Sequence, residues 1–298
     1  LHTGKLILLG ALVVLALFFI WRWWSLARAA RDPDKLKSTD LAVGFGTNFF
    51  DTLGIGSFAP TTAIFKFFKR MPDEKIPGTL NVGHALPTVV QALVFITIIN
   101  VGFTTLIAMI AAAVLGAWLG AGVVTRLPRR PIQIGMGVAL LVAATLFILA
   151  NLKLIPGGGD ATALTGGVLV FAVVMNFILG VIMALGIGLY APCLILCSLL
   201  GMNPAAAFPI MMGSCAFLMP SSGLRFVARG RYSLGASVGL ALGGIPAVLL
   251  AAYVVKSLPL EWLRWLVIIV VLIAATLMLR SAFAEPVTGS VAAEGEAR

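Results

Sequence analysis

Apolar stretches of about 20 residues, the length that carries an α-helix across a bilayer core, alternate along the chain with short polar or basic breaks. The pattern predicts a first helix over 6–20, a charged linker at 27–40 and an apolar element at 41–68. A basic loop, Lys69 to Lys75, leads to spans at 79–99, 102–125 and 131–150. After a Pro- and Gly-rich loop at 151–162 comes a second apolar element at 163–200, with spans at 204–222, 232–256 and 261–280. The tail from Ser281 is polar and small, a composition that favours disorder.

Two of these elements are interrupted, and in nearly the same words. Residues 53–60 read Leu-Gly-Ile-Gly-Ser-Phe-Ala-Pro and residues 185–192 read Leu-Gly-Ile-Gly-Leu-Tyr-Ala-Pro, an offset of 132. Each copy sets two glycines in an apolar stretch and then a proline suited to the first turn of a new helix. The likeness continues at an offset of 131: Met71 with Met202, Leu127-Pro128 with Leu258-Pro259, and Ala143-Ala144-Thr145-Leu146 with Ala274-Ala275-Thr276-Leu277. The chain reads as an N-terminal helix and cytoplasmic linker (1–40), a first repeat (41–150), a loop (151–162), a second repeat (163–283) and a disordered cytoplasmic tail (284–298).

Composition agrees with a membrane setting. The chain is 60% hydrophobic and 11% charged, with mean hydropathy +1.08, which predicts an all-α polytopic membrane protein. A net charge of +10 suggests nucleic acid at first sight, but the basic residues sit between apolar segments, as loop charges of a positive-inside protein do. Residues 6–20 read as a transmembrane helix rather than a cleavable signal, because Arg22, Arg28 and Arg31 follow the apolar run. Cys193, Cys197 and Cys215 lie in apolar stretches without a metal-ligand spacing, so neither a disulfide framework nor a metal site is expected.

The basic residues also decide topology. If both interrupted elements cross the membrane, Lys and Arg divide almost evenly between the two sides. If each is a hairpin returning to its own side, all 21 except Lys5, Lys153, Lys256 and Arg264 fall on one side. The positive-inside rule selects the hairpins. The expectation is therefore one extra N-terminal helix plus two inverted-topology repeats, each an interrupted hairpin and three spans. The N-terminus would be outside and the C-terminus cytoplasmic.

In that arrangement both tips approach the middle of the membrane, and the helices starting near Pro60 and Pro192 aim unpaired backbone N–H groups at a shared space. Helix N-termini favour anions, and paired broken helices mark transport sites. Gly54, Gly56, Gly186 and Gly188 are the tip candidates for binding, with Ser57 and Tyr190 beside them. The alternative is that these glycines only let helices pack closely. Asp51 sits just before the first tip, where a carboxylate is functional by default. It is the candidate for carrying a coupled proton, or else a carboxylate satisfied by neighbouring donors. Its counterpart is Met183, so that role is asymmetric. Asn48, one turn earlier, shares its face. His84, paired by the repeat with Cys215, either faces the cavity or packs as a hydrogen-bonded core histidine. Thr61 and Cys193 match each other beside the tips; each either donates to cargo or packs. Arg225, Arg229 and Arg231 either gather anions or simply set topology. Trp21, Trp23 and Trp24 read as an interfacial belt.

The tips, the Leu-Pro-punctuated spans and the stretch Ser222-Gly223-Leu224-Arg225-Phe226-Val227-Ala228-Arg229-Gly230 resemble the TauE/SafE (sulfite exporter, TSUP) family. The resemblance covers about 41–283 and is strongest in the second half. Members usually carry a Gly-x-Gly-Gly-Gly run at the tip, where this chain has Ser57-Phe58 and Leu189-Tyr190 after the second glycine. The resemblance implies movement of sulfite, sulfonates or related small sulfur anions across the bacterial cytoplasmic membrane.

Two classes of function are open at this point. The first is a secondary transporter that exports a small sulfur-containing anion by alternating access, with uptake of sulfoacetate or another small carboxylate or sulfonate as the variant. Protons are its candidate coupling ion and a homodimer its candidate assembly; no cofactor, metal or nucleic acid is expected. The second is an intramembrane enzyme built on His84, Asp51 and a cysteine. No H-E-x-x-H or Walker pattern supports it or ATP use, and the expectation is that the protein is not an enzyme.

Overall fold

The computed structural model describes residues 2–30, 34–123, 129–152, 154, 159–183, 189–257 and 259–284. In chain order its helices are α1 (His2–Ala30), α2 (Ser38–Thr52), α3 (Phe58–Phe67), α4 (Ile76–Gly83), α5 (Ala85–Ile98), α6 (Phe103–Val123), α7 (Arg129–Asn151), α8 (Gly166–Met183), α9 (Tyr190–Leu199), α10 (Pro204–Ala228), α11 (Leu234–Ser257) and α12 (Leu260–Ala284). Among the described residues five segments are long and apolar enough to cross a membrane: α1, the α4–α5 run, α8, α10 and α11. The protein is an all-α polytopic membrane protein.

Four local details differ from the sequence reading, the first being α1, which runs from His2 to Ala30 rather than over 6–20 and so enters the expected linker. The span expected at 79–99 is broken at His84, which ends α4 and precedes α5. Pro87 has no N–H for the carbonyl four residues back, so the regular ladder is already interrupted there. The aromatic cluster divides: Trp21 and Trp24 are exposed, but Trp23 is buried against Phe19. Helical periodicity explains it, since Leu8, Leu12, Phe19, Trp23 and Ala27 form the buried stripe of α1. Finally, α12 continues to Ala284, so Ser281–Ala284 are helical; the rest of the tail lies outside the described residues.

Hydrogen bonds fix where each element begins and ends. Arg70, just past α3, binds Asp40 in the first turn of α2 through Nε (2.9 Å) and Nη2 (2.9 Å). It also reaches Asp34 through Nη1 at 3.0 Å. The end of α3 therefore lies beside the start of α2. The second interrupted element closes likewise by backbone pairing: Ala161 N–H donates to Gly201 O (3.3 Å) and Asn203 N–H to Ala161 O (2.8 Å). On that same face Gly102 N–H meets Thr162 O at 2.8 Å. On the opposite face Ser233 N–H meets Thr79 Oγ1 at 2.9 Å. The α4–α5 run and α10 thus cross in opposite directions.

Helix packing is exchanged between the halves. α2 packs chiefly on α11, and α8 on α6. Both contacts are backbone-close because glycine leaves the room, the usual means of helix association in lipid. A Cβ on Gly243 would stand 2.1 Å from Leu41 O, and one on Gly44 2.7 Å from Leu240 O. In the other pair, a Cβ on Gly116 would stand 2.1 Å from Phe177 O and one on Gly180 2.1 Å from Ala113 O. By contrast, Gly46, also on α2, has nothing within 4 Å of that position.

This contrast gives a test. Gly243→Leu or Gly180→Leu should cost more than the about 1–3 kcal/mol of ordinary overpacking, because backbone rather than side chain is struck. Detergent size exclusion should show loss of the monodisperse peak, while Gly46→Ala should elute as wild type.

Candidate functional site

The first tip begins where α2 ends. Gly54 N–H donates to Asp51 O (2.8 Å) and Ile55 N–H to Phe50 O (3.2 Å), the paired closure that places a left-handed residue after the helix. Gly54 takes that position with φ +100, and Gly56 follows with φ +91. Both glycines answer to backbone conformation. Gly56 has nothing within 4 Å of a would-be Cβ, whereas Gly54 lies against the second half: its Cβ position is 3.7 Å from Leu194 and Met211 and 3.6 Å from Val270.

Ser57 is the N-cap of α3, and its hydroxyl and backbone N–H face the carboxylate of Asp51. Asp51 is only 4% exposed. Its Oδ2 also receives Gln91 Nε2 at 2.8 Å, and the same nitrogen reaches Thr52 Oγ1 at 3.0 Å. The other end of the Gln91 amide accepts from the Tyr190 hydroxyl at 2.7 Å, and Tyr190 also bonds Thr88. Tyr190 opens α9, so Gln91 on α5 joins the two hairpins directly.

A second branch runs through His84, which is fully buried. The Asn48 amide donates Nδ2 to Gly44 O (2.7 Å), which leaves Oδ1 facing His84 Nδ1 at 3.0 Å. An amide oxygen only accepts, so Nδ1 carries a proton. Thr61 Oγ1 stands 3.1 Å from Nε2 and donates to Ser57 O at 2.7 Å. Room for Asn48 comes from α11, where a Cβ on Gly244 would stand 2.4 Å from its Nδ2.

Of the residues singled out from sequence, Asn48, Asp51, Gly54, Gly56, Ser57, Thr61, His84 and Tyr190 gather at this site. Cys215 lies near it and points its thiol at Met183 Sδ, 3.6 Å away. Cys193 is buried and bonds Cys197, one turn along α9; it does not join the polar chain. Gly186 and Gly188 lie outside the described residues. Arg225, Arg229 and Arg231 are exposed at the α10–α11 turn. Gln91 was missed; its signal was a lone amide inside the apolar run Val89-Val90-Gln91-Ala92-Leu93-Val94, where polar side chains usually have partners.

Helical hairpins closing on buried polar side chains, among apolar helices that expose leucine, valine and phenylalanine, define a multi-pass membrane protein. Residues 2–147 match the family model described as sulfite exporter TauE/SafE, the family that the tip residues resemble. The match falls on the first half and takes in α1, whereas the resemblance read from the residues is strongest in the second. No curated protein and no solved structure matches the chain. The family description supports a membrane anion transporter, with a small anion and the bilayer as its partners.

At the hairpin base, outside the membrane, Asp34 sits between charged and neutral donors. Burial pushes its pKa up, but hydrogen bonds from Ser233 and Arg70, with the Arg70 charge, bring it below the ordinary 3.8. A depressed pKa contributes stability above the unfolded value and loses it as pH falls through the folded one. The melting-temperature difference between wild type and Asp34→Asn should hold steady at neutral pH and vanish on acidification below about 4.

Proposed function

We propose that the protein is a secondary transporter for a small sulfur-containing anion such as sulfite or an organosulfonate. It holds its cargo between two hairpin tips and works by alternating access between two inverted-topology repeats, 41–150 and 163–283. The observation that carries this reading is the Asp51–Gln91–Tyr190 chain. It ties the end of α2 in one hairpin to the start of α9 in the other through neutral, buried side chains. A substrate entering there meets both halves at once, which a rocking mechanism requires. The closed hairpin bases and the reciprocal packing of α2 on α11 and α8 on α6 support the repeats.

In this reading the direction is export, and the linker and tail lie at the cytoplasmic face of a bacterial inner membrane, which the distribution of Lys and Arg supports. Protons are the coupling ion in this reading, and a homodimer is its assembly. An enzyme fits less well: both ring nitrogens of His84 are engaged by Asn48 and Thr61, and the cysteine thiols face sulfur partners. Neither arrangement pairs a nucleophile with a base.

Purified protein in liposomes should move at least one of sulfite, sulfoacetate, taurine or thiosulfate, and the same anion should raise its melting temperature. Gly56→Val forces a branched side chain into a left-handed position; in the folded variant, flux and thermal shift should both disappear. Flux of acetate with none for the sulfur anions would move the cargo to carboxylates. Flux of no anion by folded protein sinks the transporter reading.

A further inference from the structure

The first tip already holds an anion of its own. Helix α3 starts at Ser57, and the N–H and hydroxyl that a cargo oxyanion would take there both face the Asp51 carboxylate. That carboxylate is buried and accepts the amide of Gln91 at 2.8 Å. Among the described residues its neighbours are neutral or apolar. From α9 comes Tyr190, acting through Gln91. From α10 comes Cys215. From the α4–α5 break comes His84, reached through Thr61 and Ser57. On α11 the neighbour is Gly244, beside Asn48, and on α12 it is Val270, beside Gly54. Among the described residues no lysine or arginine bonds this group. The second half has no such device in sequence: the position matching Asp51 is Met183, which accepts the Cys215 thiol.

We infer that Asp51 is a resident competitor of the cargo: an anion takes the Ser57 donors only as the Asp51 carboxylate gives them up by accepting a proton, so one proton enters with each anion. The argument rests on the transporter reading above and adds the coupling step to it. Two negative groups cannot share one pair of donors in a site closed to water, where repulsion is weakly screened. Protonation removes the conflict without breaking any covalent bond of the protein. The proton comes from water on the side to which the site is open, and leaves when the anion does and Asp51 returns to Ser57. For a singly charged anion the step is electroneutral. Gln91 serves both states, because its Nε2 also holds Thr52 and its Oε1 still holds Tyr190.

The test uses full-length protein in detergent and titrates methanesulfonate and thiosulfate, which stay fully ionised across the pH range. Calorimetry in two buffers of different ionisation heat counts the protons taken up. Wild type should take up one proton per anion, with affinity rising about tenfold for each unit fall in pH while Asp51 is charged in the free protein. Asp51→Asn should bind with no proton uptake and no pH dependence. Ser57→Ala, which removes a hydroxyl facing Asp51 but leaves the His84 branch on its backbone carbonyl, should shift the pH midpoint of uptake. It serves on its own if Asp51→Asn does not fold. Wild-type binding without proton uptake, uptake retained in Asp51→Asn, or an unmoved midpoint in Ser57→Ala overturns the inference and leaves the transporter standing. Failure of folded wild type to bind either anion at any pH overturns the inference, and the transporter reading falls with it only if the liposomes also move no anion.

Discussion

A helix that stops inside a bilayer leaves backbone carbonyls at one end and amides at the next start with no water to receive them. The first hairpin resolves both ends within a few residues. The carbonyls of Phe50 and Asp51 are taken by Ile55 and Gly54, which requires a left-handed residue at Gly54. The opening donors of α3 at Ser57 face the carboxylate of Asp51. Glycine and aspartate are therefore two parts of one solution, and the surrounding polar side chains follow from it. A buried carboxylate needs further donors, which Gln91 supplies; the other end of that amide needs a partner, which Tyr190 supplies.

The interrupted elements were read from two independent signals, a repeated motif and the distribution of Lys and Arg, and the structure places the end of α3 beside the start of α2. Helix limits followed from apolar length, with small errors where a local rule intervened, as at His84 before Pro87. The site was partly legible. Asp51, His84 and Asn48 stood out as polar residues at membrane depth, and repetition made the tips visible. Gln91 did not stand out, because an isolated amide carries no charge and its partners lie 40 and 99 positions away. Trp23 was misread for a related reason: a cluster in sequence hides which of three neighbours a helix turns inward.

The two hairpin bases show how one architecture can be closed in two ways. The first uses Arg70 held by Asp34 and Asp40, with Lys69 before it at φ 47. The second uses a backbone bridge between Ala161 and Met202, with Gly201 at φ 84 in the position matching Lys69. A glycine there is relaxed and a lysine is not, so the first base accepts local strain in a turn whose next residue is the bridging arginine. One base is thus held by charged side chains and the other through backbone groups.

Exchange of packing partners between halves also bears on how the chain is made. Helix α2 leaves the ribosome early, but the glycine-lined surface of α11 that receives it is synthesised only after most of the protein has been threaded into the membrane. Until then Asp40, Asn48 and Asp51 lie on a short helix whose principal neighbour does not yet exist. The first hairpin must wait, shielded by lipid headgroups or by the insertion machinery, for a partner encoded near the far end of the message. Separately produced halves should therefore mature only when both are translated in the same cell.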